Sequence, residues 1–422
     1  MKPNDKGWLK DYLEYRKDLL NSIPFQDKKS AHPEQSLYKI IQPTGLMYGQ
    51  SVGGVDLPEN QQWDEKEKMK ILLVESMISS SLLFYDKPIK SSEDLSVVIS
   101  KTLVNIGTFY NNIFPELATS TTTILGRKKS PLELTEKILD KRIEHTSKFQ
   151  HNFWSYFFHN SLLFLDVFIY GQWIHTNADR IVADFFRYER DELRFSVVKV
   201  IAAAAHANKK IAYEERKLYE LFIESTDLSS ERRKQALKIF EEGFALEDIN
   251  LPSENSWILK KFFLEVGILT IWADKKVEQD ELDFLKRFCH YLGFSDEDLE
   301  NSMMAIEGFV LEHWHQLEYL QDKQDYQHVS DQFINRIARV AEKNKSRLIK
   351  SISENEGILT LMKKAGSSEL TPDEKDTMRL ELIKTLKTIP AFIIVALPQK
   401  FLTLPILLKI LPRNLFAESI KK

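Results

Sequence analysis

The sequence predicts an all-α, multi-helix protein, and three observations support this prediction. Only 14 glycines and 14 prolines occur among 422 residues, so residues that break helices are sparse. The long stretches between them are rich in Leu, Lys, Glu and Ala, with apolar residues at helical spacing. A hydrophobic fraction of 43% is enough to build more than one core.

The distribution of charge indicates which partners the protein could bind, and the cysteine content limits the disulfides and metal sites that it could form. The formal net charge is −4, but residues 343–422 hold 15 Lys/Arg and 8 Asp/Glu, which gives +7 there and −11 elsewhere. A basic, apolar tail suits an anionic membrane surface or, less specifically, RNA. The alternative is a lysine-rich helix surface with no ligand, and no DNA partner is expected. Cys289 is the single cysteine, so no intrachain disulfide can form and a zinc-thiolate site is not expected.

The N-terminal part, residues 1–63, is predicted to be a helical cap followed by a glycine-rich loop. The first twenty residues lack a continuous apolar stretch, so we expect no signal peptide and a cytoplasmic body. The glycines of TGLMYGQSVGG are not followed by Gly-Lys-Ser/Thr, which favours a connecting loop over a nucleotide site.

A helical domain is predicted for residues 64–190. Helical patterns run over Asp64–Asp86 and Glu93–Phe114, and Ser130, Pro131 and Glu133 form a capping box that should begin the next helix.

The apolar run Asn152–Ile174 is long enough to cross a bilayer, but it contains Asp166. An aspartate near the centre of a membrane helix costs about 2.5–3.5 kcal/mol. We therefore interpret the run as a buried helix of a soluble domain, with Asp166 paired to a neighbour, in preference to a membrane span.

An internal repeat lies within residues 191–322. His206–Phe222 aligns without gaps to Trp272–Phe288, an offset of 66 residues, and the register continues from Leu228–Glu231 to Phe294–Glu297. Each copy is predicted to contain an apolar helix, an Ala-Asn/Asp-Lys-Lys turn, a second helix and a third helix capped by serine.

This repeat resembles the TerB-like domains of tellurite-resistance and envelope-stress proteins, which are all-helical with pseudo-twofold symmetry. The resemblance implies that acidic turns hold a metal, so a divalent cation is the one cofactor considered. Helix capping by the same residues is the competing interpretation, and the spacing does not fit an EF-hand. The implied metal-facing residues are Glu214, Glu215, Asp274, Asp280 and Glu281.

No catalytic pattern is present, so the sequence predicts a protein that is not an enzyme. Nucleophile elbows, zincin helices and dinucleotide fingerprints are absent. Glu312 and His315 share a helical face, but a di-iron bundle needs two such motifs and two further glutamates.

The C-terminal module, residues 323–422, begins with basic helices. Thr371, Pro372 and Glu374 form a second capping box, which predicts a helix ending near Lys387. The stretch SELTPDEKDTMRLELIKTLKTIPAFIIVALPQKFLTLPILLKILPRNLFAES then resembles the LETM family, the leucine-zipper/EF-hand-containing transmembrane proteins of mitochondrial inner membranes. Shared features are Leu-Thr-x-x-Glu, an apolar run with regularly placed prolines and Lys-x-x-Pro.

The resemblance implies several properties. A TerB-like domain followed by a short LETM-like module resembles the bacterial LETM-related, biofilm-associated proteins. The family also carries links to cation/proton exchange, and so to ion homeostasis, and a ribosome-binding label. Neither the leucine zipper nor the EF-hand loop of the LETM family is present in the sequence. We therefore do not expect this protein to share the family's ribosome binding or calcium binding.

The apolar segment Ile389–Leu411 has 23 residues, enough for a helix that spans a bilayer. Its apolar residues favour insertion by roughly 4–8 kcal/mol, while Lys400 costs about 2.5–3.5 kcal/mol and internal prolines reduce the margin further. Spanning the bilayer, lying on it as two short helices broken at Pro398, and closing the soluble body all stay open. Membrane contact is predicted for Lys384, Lys387, Pro390, Pro398, Lys400, Pro405, Lys409, Pro412 and Arg413.

The sequence thus predicts a membrane-associated protein that acts in envelope or biofilm physiology. A cytoplasmic body would meet the inner membrane through the C-terminal segment, with lipid as its main partner and a protein partner or homo-oligomer also considered. The alternatives are a component of cation/proton exchange and a scaffold that contacts the ribosome.

Overall fold

The structure, a computed structural model, is all-α in the part of the chain that it describes, which confirms the predicted fold class. Apart from an isolated bridge between Thr122 and Lys128, no β structure occurs among these residues. The described residues are 1–20, 32–48, 62–83, 85, 87, 89–122, 126–147, 160–174, 176, 180–207, 216, 219–220, 222–224, 226–249, 256–272, 279–312, 314, 323–365, 368–412 and 415.

The chain divides into two compact units, residues 1–284 and 285–422. The four-part division predicted from the sequence is not tested by this and stays a prediction. Unit 1 contains α1 (Trp8–Leu20), α2 (Pro33–Ile41), α3 (Glu65–Leu83), α4 (Ser92–Ile113), α5 (Pro131–Ser147), α6 (Leu162–Trp173), α7 (Arg180–Ala205), α8 (Ser230–Glu242), α9 (Trp257–Ile271) and the start of α10 (Gln279–Tyr291).

Local capping signals begin the helices where the sequence predicts. The Ser130 Oγ accepts the Glu133 N–H at 3.2 Å, and the Ser130 N–H donates to Glu133 Oε2 at 2.8 Å. This reciprocal pair satisfies two backbone donors at the start of α5. Close packing of α5 on α4 requires Gly107, because a Cβ there would lie 2.4 Å from Thr135 Oγ1.

Helix α6 is apolar on all sides and packs against α3 and α7, as a fully buried helix must. Asp166 on this helix is 1% exposed. Its Oδ2 accepts from Arg142 Nε at 2.7 Å and from Tyr110 Oη at 2.9 Å. The predicted pairing of Asp166 with a neighbour is therefore confirmed.

The internal repeat reappears in the positions of the helices. Ala205 and Ile271, which end α7 and α9, are 66 positions apart, and so are Ser230 and Asp296, which begin the third helix of each copy. The equivalent Ser229 and Ser295 both accept backbone N–H groups as caps. The first and third helices of the two copies therefore occupy equivalent positions along the chain, as the sequence alignment predicts.

Unit 2 contains the rest of α10, α11 (Asp296–Glu312), α12 (Lys323–Lys343), α13 (Lys345–Ser353), α14 (Glu356–Ala365), α15 (Pro372–Leu386), α16 (Ala391–Ile394) and α17 (Leu404–Ile410). Helix α11 packs on α12, and α17 packs on both α12 and α15. A buried ion pair joins Arg336 and Glu307, with Nη2 3.0 Å from Oε1 and Nε 3.1 Å from Oε2. The second capping box forms at Thr371 and Glu374, and its helix ends at Leu386, as predicted.

Candidate functional site

The acidic turns of the repeat, predicted to face a metal, are only partly described. Glu214, Glu215 and Asp274 lie outside the described residues, while Asp280 is exposed and Glu281 is buried, both in the first turn of α10. Within the described ranges, no group of three or more His, Cys, Asp or Glu side chains could hold a metal ion. The metal site therefore stays a prediction.

The C-terminal apolar segment does not form one helix. It is split into α16 and α17, which are joined by residues 395–403 in turns and extended backbone. Pro405 lies in the first turn of α17 and Pro412 follows its end, the two places where proline leaves a helix intact. The segment thus contains two short helices, whereas its contact with a bilayer stays a prediction.

The regular spacing of the prolines does not produce a shared face. Pro398 and Pro412 are buried, whereas Pro405 is exposed. No continuous helix carries all three prolines, because the backbone leaves the helical conformation between α16 and α17.

Two layers of side chains make up the segment. The inner layer is fully buried and includes Ile389, Leu402 and Leu407. The outer layer contains Ile393, which is 50% exposed, and Leu408, which is 48% exposed. Of the side chains predicted to contact a membrane, the exposed ones are Lys384, Lys387, Pro390, Lys400, Pro405 and Lys409, and Arg413 lies outside the described residues.

The outer layer is basic and lacks acidic side chains. Between Glu381 and Glu418 the sequence has five Lys or Arg residues and no Asp or Glu. Lys384 is paired with Glu381 at 2.6 Å, and this hydrogen bond lowers the pKa of Glu381. Lys387, Lys400 and Lys409 make no ion pair with any residue that the structure describes. We refer to Lys387, Ile393, Lys400, Leu408 and Lys409 as the outer row.

Three polar contacts fix the backbone that carries the outer row. The Glu312 carboxylate accepts the Lys400 N–H at 2.8 Å. Arg379 Nη1 donates to the Gln399 carbonyl at 3.1 Å, and Arg347 Nη1 donates to the Thr388 carbonyl at 3.0 Å. These side chains lie outside the segment, and no sequence pattern links them to it. In the sequence, Glu312 stood out only through its E-x-x-H spacing with His315, which is a metal-binding pattern. In the structure it accepts a backbone N–H instead.

Aromatic packing holds the same turn from the inside. The Phe401 ring lies 5.6 Å from the Phe333 ring and 6.4 Å from the Tyr326 ring, both on α12. At Gly308 on α11, a Cβ would lie 3.3 Å from Pro398 Cδ, so this glycine lets the turn approach closely. The outer row is therefore carried on a backbone that is anchored on both sides.

No described helix is long enough and apolar enough to traverse a lipid bilayer. The structure thus describes the C-terminal segment as an anchored surface with an apolar inner layer and a basic outer row. A surface of this composition can bind anions and apolar groups together, as the boundary of an anionic bilayer requires.

Comparisons with known proteins give partial similarity to one group. The chain is 29% identical over 127 residues to the co-chaperone protein DjlA of Vibrio parahaemolyticus, covering 28% of this chain and 45% of that protein. The DjlA proteins of Vibrio cholerae, 29% identical over 129 residues, and Photobacterium profundum, 27% identical over 141 residues, are similar to a comparable extent. The chain spans less than half the length of these curated relatives. No protein-family model and no solved structure matches it.

Proposed function

We propose that this protein is a non-enzymatic helical adaptor that binds an anionic membrane surface through its outer row. Its body would then be held at the bilayer, where it contacts a protein partner. The TerB-like and LETM-like assignments, and a role in envelope or biofilm physiology, belong to this proposal and depend on the resemblances described above.

One observation carries the proposal: three exposed lysines, which make no ion pair with a described residue, alternate with two exposed apolar side chains in a stretch without acidic residues. Each Lys or Arg near an anionic bilayer contributes about 1 kcal/mol of binding free energy. Exposed Ile393 and Leu408 would enter the boundary between headgroups and acyl chains, while the lysine ammonium groups stay among the phosphates.

The test is co-sedimentation of the full chain with vesicles of phosphatidylcholine alone or with 30% phosphatidylglycerol. We expect binding to the anionic vesicles, weakened by high salt because screening reduces surface attraction. The triple variant Lys387→Glu, Lys400→Glu, Lys409→Glu should bind at least roughly a hundredfold more weakly.

The matched control replaces three other exposed lysines with glutamate: Lys101, Lys234 and Lys286. None of these lysines makes an ion pair with a described residue. This control changes the net charge by the same amount. If both triple variants lose binding equally, the attraction comes from overall charge and the outer row has no special role. If the wild-type chain does not co-sediment with anionic vesicles, the proposal is wrong.

A second candidate function, that of a co-chaperone, is favoured by the partial similarity to DjlA. It requires only a helical surface that engages a chaperone, so it is compatible with the membrane proposal. The test is whether the full chain changes the ATP turnover of a purified ATP-dependent chaperone from the same cells. No change at saturating concentrations would remove this candidate.

A further inference from the structure

The Lys199 amine, on α7, lies against two aromatic rings. Its Nζ is 4.9 Å from the centroid of the Phe195 ring and 5.7 Å from the centroid of the Phe244 ring. Phe195 is only 3% exposed, and Lys199 and Phe244 are half-buried. No hydrogen bond or ion pair joins Nζ to a residue that the structure describes. The amine therefore has ring faces around it where most lysines have water or a carboxylate.

The charged groups near Lys199 do not replace these missing acceptors. Arg232 on α8 lies over the Phe195 ring, 4.4 Å from its centroid, and forms an ion pair with Glu192. Burial lowers the pKa of Lys199, and the charge of Arg232 lowers it further. Glu192 and Asp248 act in the opposite direction but do not reverse the effect of burial. Burial beside a second cation is a way in which proteins make a lysine amine nucleophilic.

Two other lysines of unit 1 show what is different about Lys199. Lys129 is 8% exposed, but its Nζ donates a hydrogen bond to the Ser120 carbonyl, which favours the ammonium form. Lys101 on α4 is exposed, so water stabilises its ammonium group. An ammonium group has no lone pair with which to attack. Lys199 therefore combines access to solvent with weak stabilisation of its charged form.

The rings around Lys199 also select the kind of product that the amine can form. An aromatic ring presents a negative face, so it disfavours an anionic product such as a carbamate. A neutral amide carries no charge to desolvate, and a short acyl group on it can pack against the half-buried Phe244 ring. The surroundings thus favour an amide over a charged adduct.

We propose that Lys199 is acylated at Nζ by an activated acyl group. The neutral amine attacks the acyl carbon and forms the amide bond, the bond from that carbon to its leaving group breaks, and the amine proton passes to the leaving group. Acyl phosphates and acyl thioesters both supply such a carbon. The reaction removes the positive charge that the Phe195 and Phe244 rings contact. The proposal is independent of membrane binding by the outer row.

The test incubates the full chain at about pH 8 with acetyl phosphate or with acetyl-coenzyme A, and peptide mass spectrometry follows each lysine. We expect Lys199 to be acetylated at least about threefold faster than Lys101, because more of its amine is neutral. The hydrogen-bonded Lys129 should react more slowly than Lys101. A larger ratio of Lys199 to Lys101 with acetyl phosphate would identify an acyl phosphate as the source, and a larger ratio with acetyl-coenzyme A a thioester.

Matched variants test whether the surroundings of Lys199 cause its reactivity. Phe244→Glu places a carboxylate near Nζ, which stabilises the ammonium form and should lower the Lys199 rate to that of Lys101. Phe185→Glu makes the same change of charge at an exposed phenylalanine of α7 and should leave the rate unchanged.

Unfolding the chain in urea gives a second measurement that does not depend on how well a variant folds. Lys199 and Lys101 should then react at equal rates, because the rings no longer surround the amine. The proposal is overturned if Lys199 reacts no faster than Lys101 in the folded chain, if its excess persists in urea, or if Phe244→Glu reacts like wild type.

Discussion

Two apolar stretches of this chain, Asn152–Ile174 and Ile389–Leu411, look alike in sequence, but the parts of them that the structure describes fold differently. Each is long enough to cross a bilayer and has a charged residue near its middle, Asp166 in the first and Lys400 in the second. In the structure Asp166 lies inside α6 and is paired with Arg142, whereas Lys400 lies in an exposed turn without an ion pair among the described residues.

The difference follows from side-chain length and from proline. Aspartate is too short to reach solvent from the middle of a buried helix, so it must find a donor inside the protein. Lysine extends a polar end past apolar neighbours, and the prolines beside it break the helix into an exposed turn. The fold of an apolar stretch that contains a charged residue therefore depends on whether that residue finds a buried partner or reaches solvent.

The largest expected effect comes from breaking the internal pair. Arg142→Met leaves the Asp166 carboxylate buried without its guanidinium and should lower the free energy of unfolding by about 3–5 kcal/mol. Lys384→Met removes the exposed Lys384–Glu381 pair and should cost about 0–1 kcal/mol. Urea unfolding measures both, and equal costs would mean that Asp166 is not in a buried pair.

The next effect separates the two layers of the C-terminal segment. Leu407→Ala removes a fully buried side chain and should cost about 2–5 kcal/mol. The neighbouring Leu408→Ala removes a half-exposed one and should change stability by about 0.5 kcal/mol or less. A negligible cost for Leu407→Ala would show that the segment is not part of the core of unit 2.

A smaller effect concerns the anchor of the Lys400 turn. Glu312→Gln replaces a charged acceptor of the Lys400 N–H with a neutral one and should weaken that contact by about 1 kcal/mol. Hydrogen exchange at Lys400 and Phe401 should then be several-fold faster. The control Glu342→Gln, at an exposed glutamate of α12, should leave these amides unchanged. Equal exchange in wild type and Glu312→Gln would contradict the anchoring role.

The smallest effect is a pH dependence in the helix that leads to the segment. Hydrogen bonds from Lys364 and the Thr371 N–H hold the pKa of Glu374 below its ordinary value. The resulting stabilisation is present above the ordinary glutamate pKa of about 4.3 and is lost as the pH falls through the lower pKa of the folded state. Carbon-detected NMR should show the Glu374 pKa rising in Lys364→Met. An unchanged midpoint would exclude Lys364 as the cause.

Local features of this protein were predictable from sequence because their causes are local. The capping boxes at Ser130 and Thr371 formed as predicted, and the first and third helices of the two repeat copies are offset by 66 residues. Pairing of Asp166 was predictable because a buried carboxylate requires a partner, although the identity of Arg142 was not.

Contacts between residues distant in sequence could not be predicted in the same way. Tyr38 and Tyr48 donate to the buried Glu265 across more than 200 positions, and no sequence pattern links them. The same holds for Glu312 and the Lys400 turn. Which apolar face of the C-terminal segment is buried depends on α12 and α15, so the outer row became visible only in the structure.

Binding of the outer row to a membrane is tested most directly by the depth that its side chains reach in a bilayer. A bimane label on Leu408→Cys, in a Cys289→Ser background, is measured with anionic vesicles whose acyl chains carry bromine at shallow or deep positions. We expect shallow bromines to quench the label at Leu408→Cys and not at Val97→Cys, a control position in unit 1 where the valine is 66% exposed. Absence of quenching at Leu408, or strongest quenching by deep bromines, would contradict a surface-bound outer row.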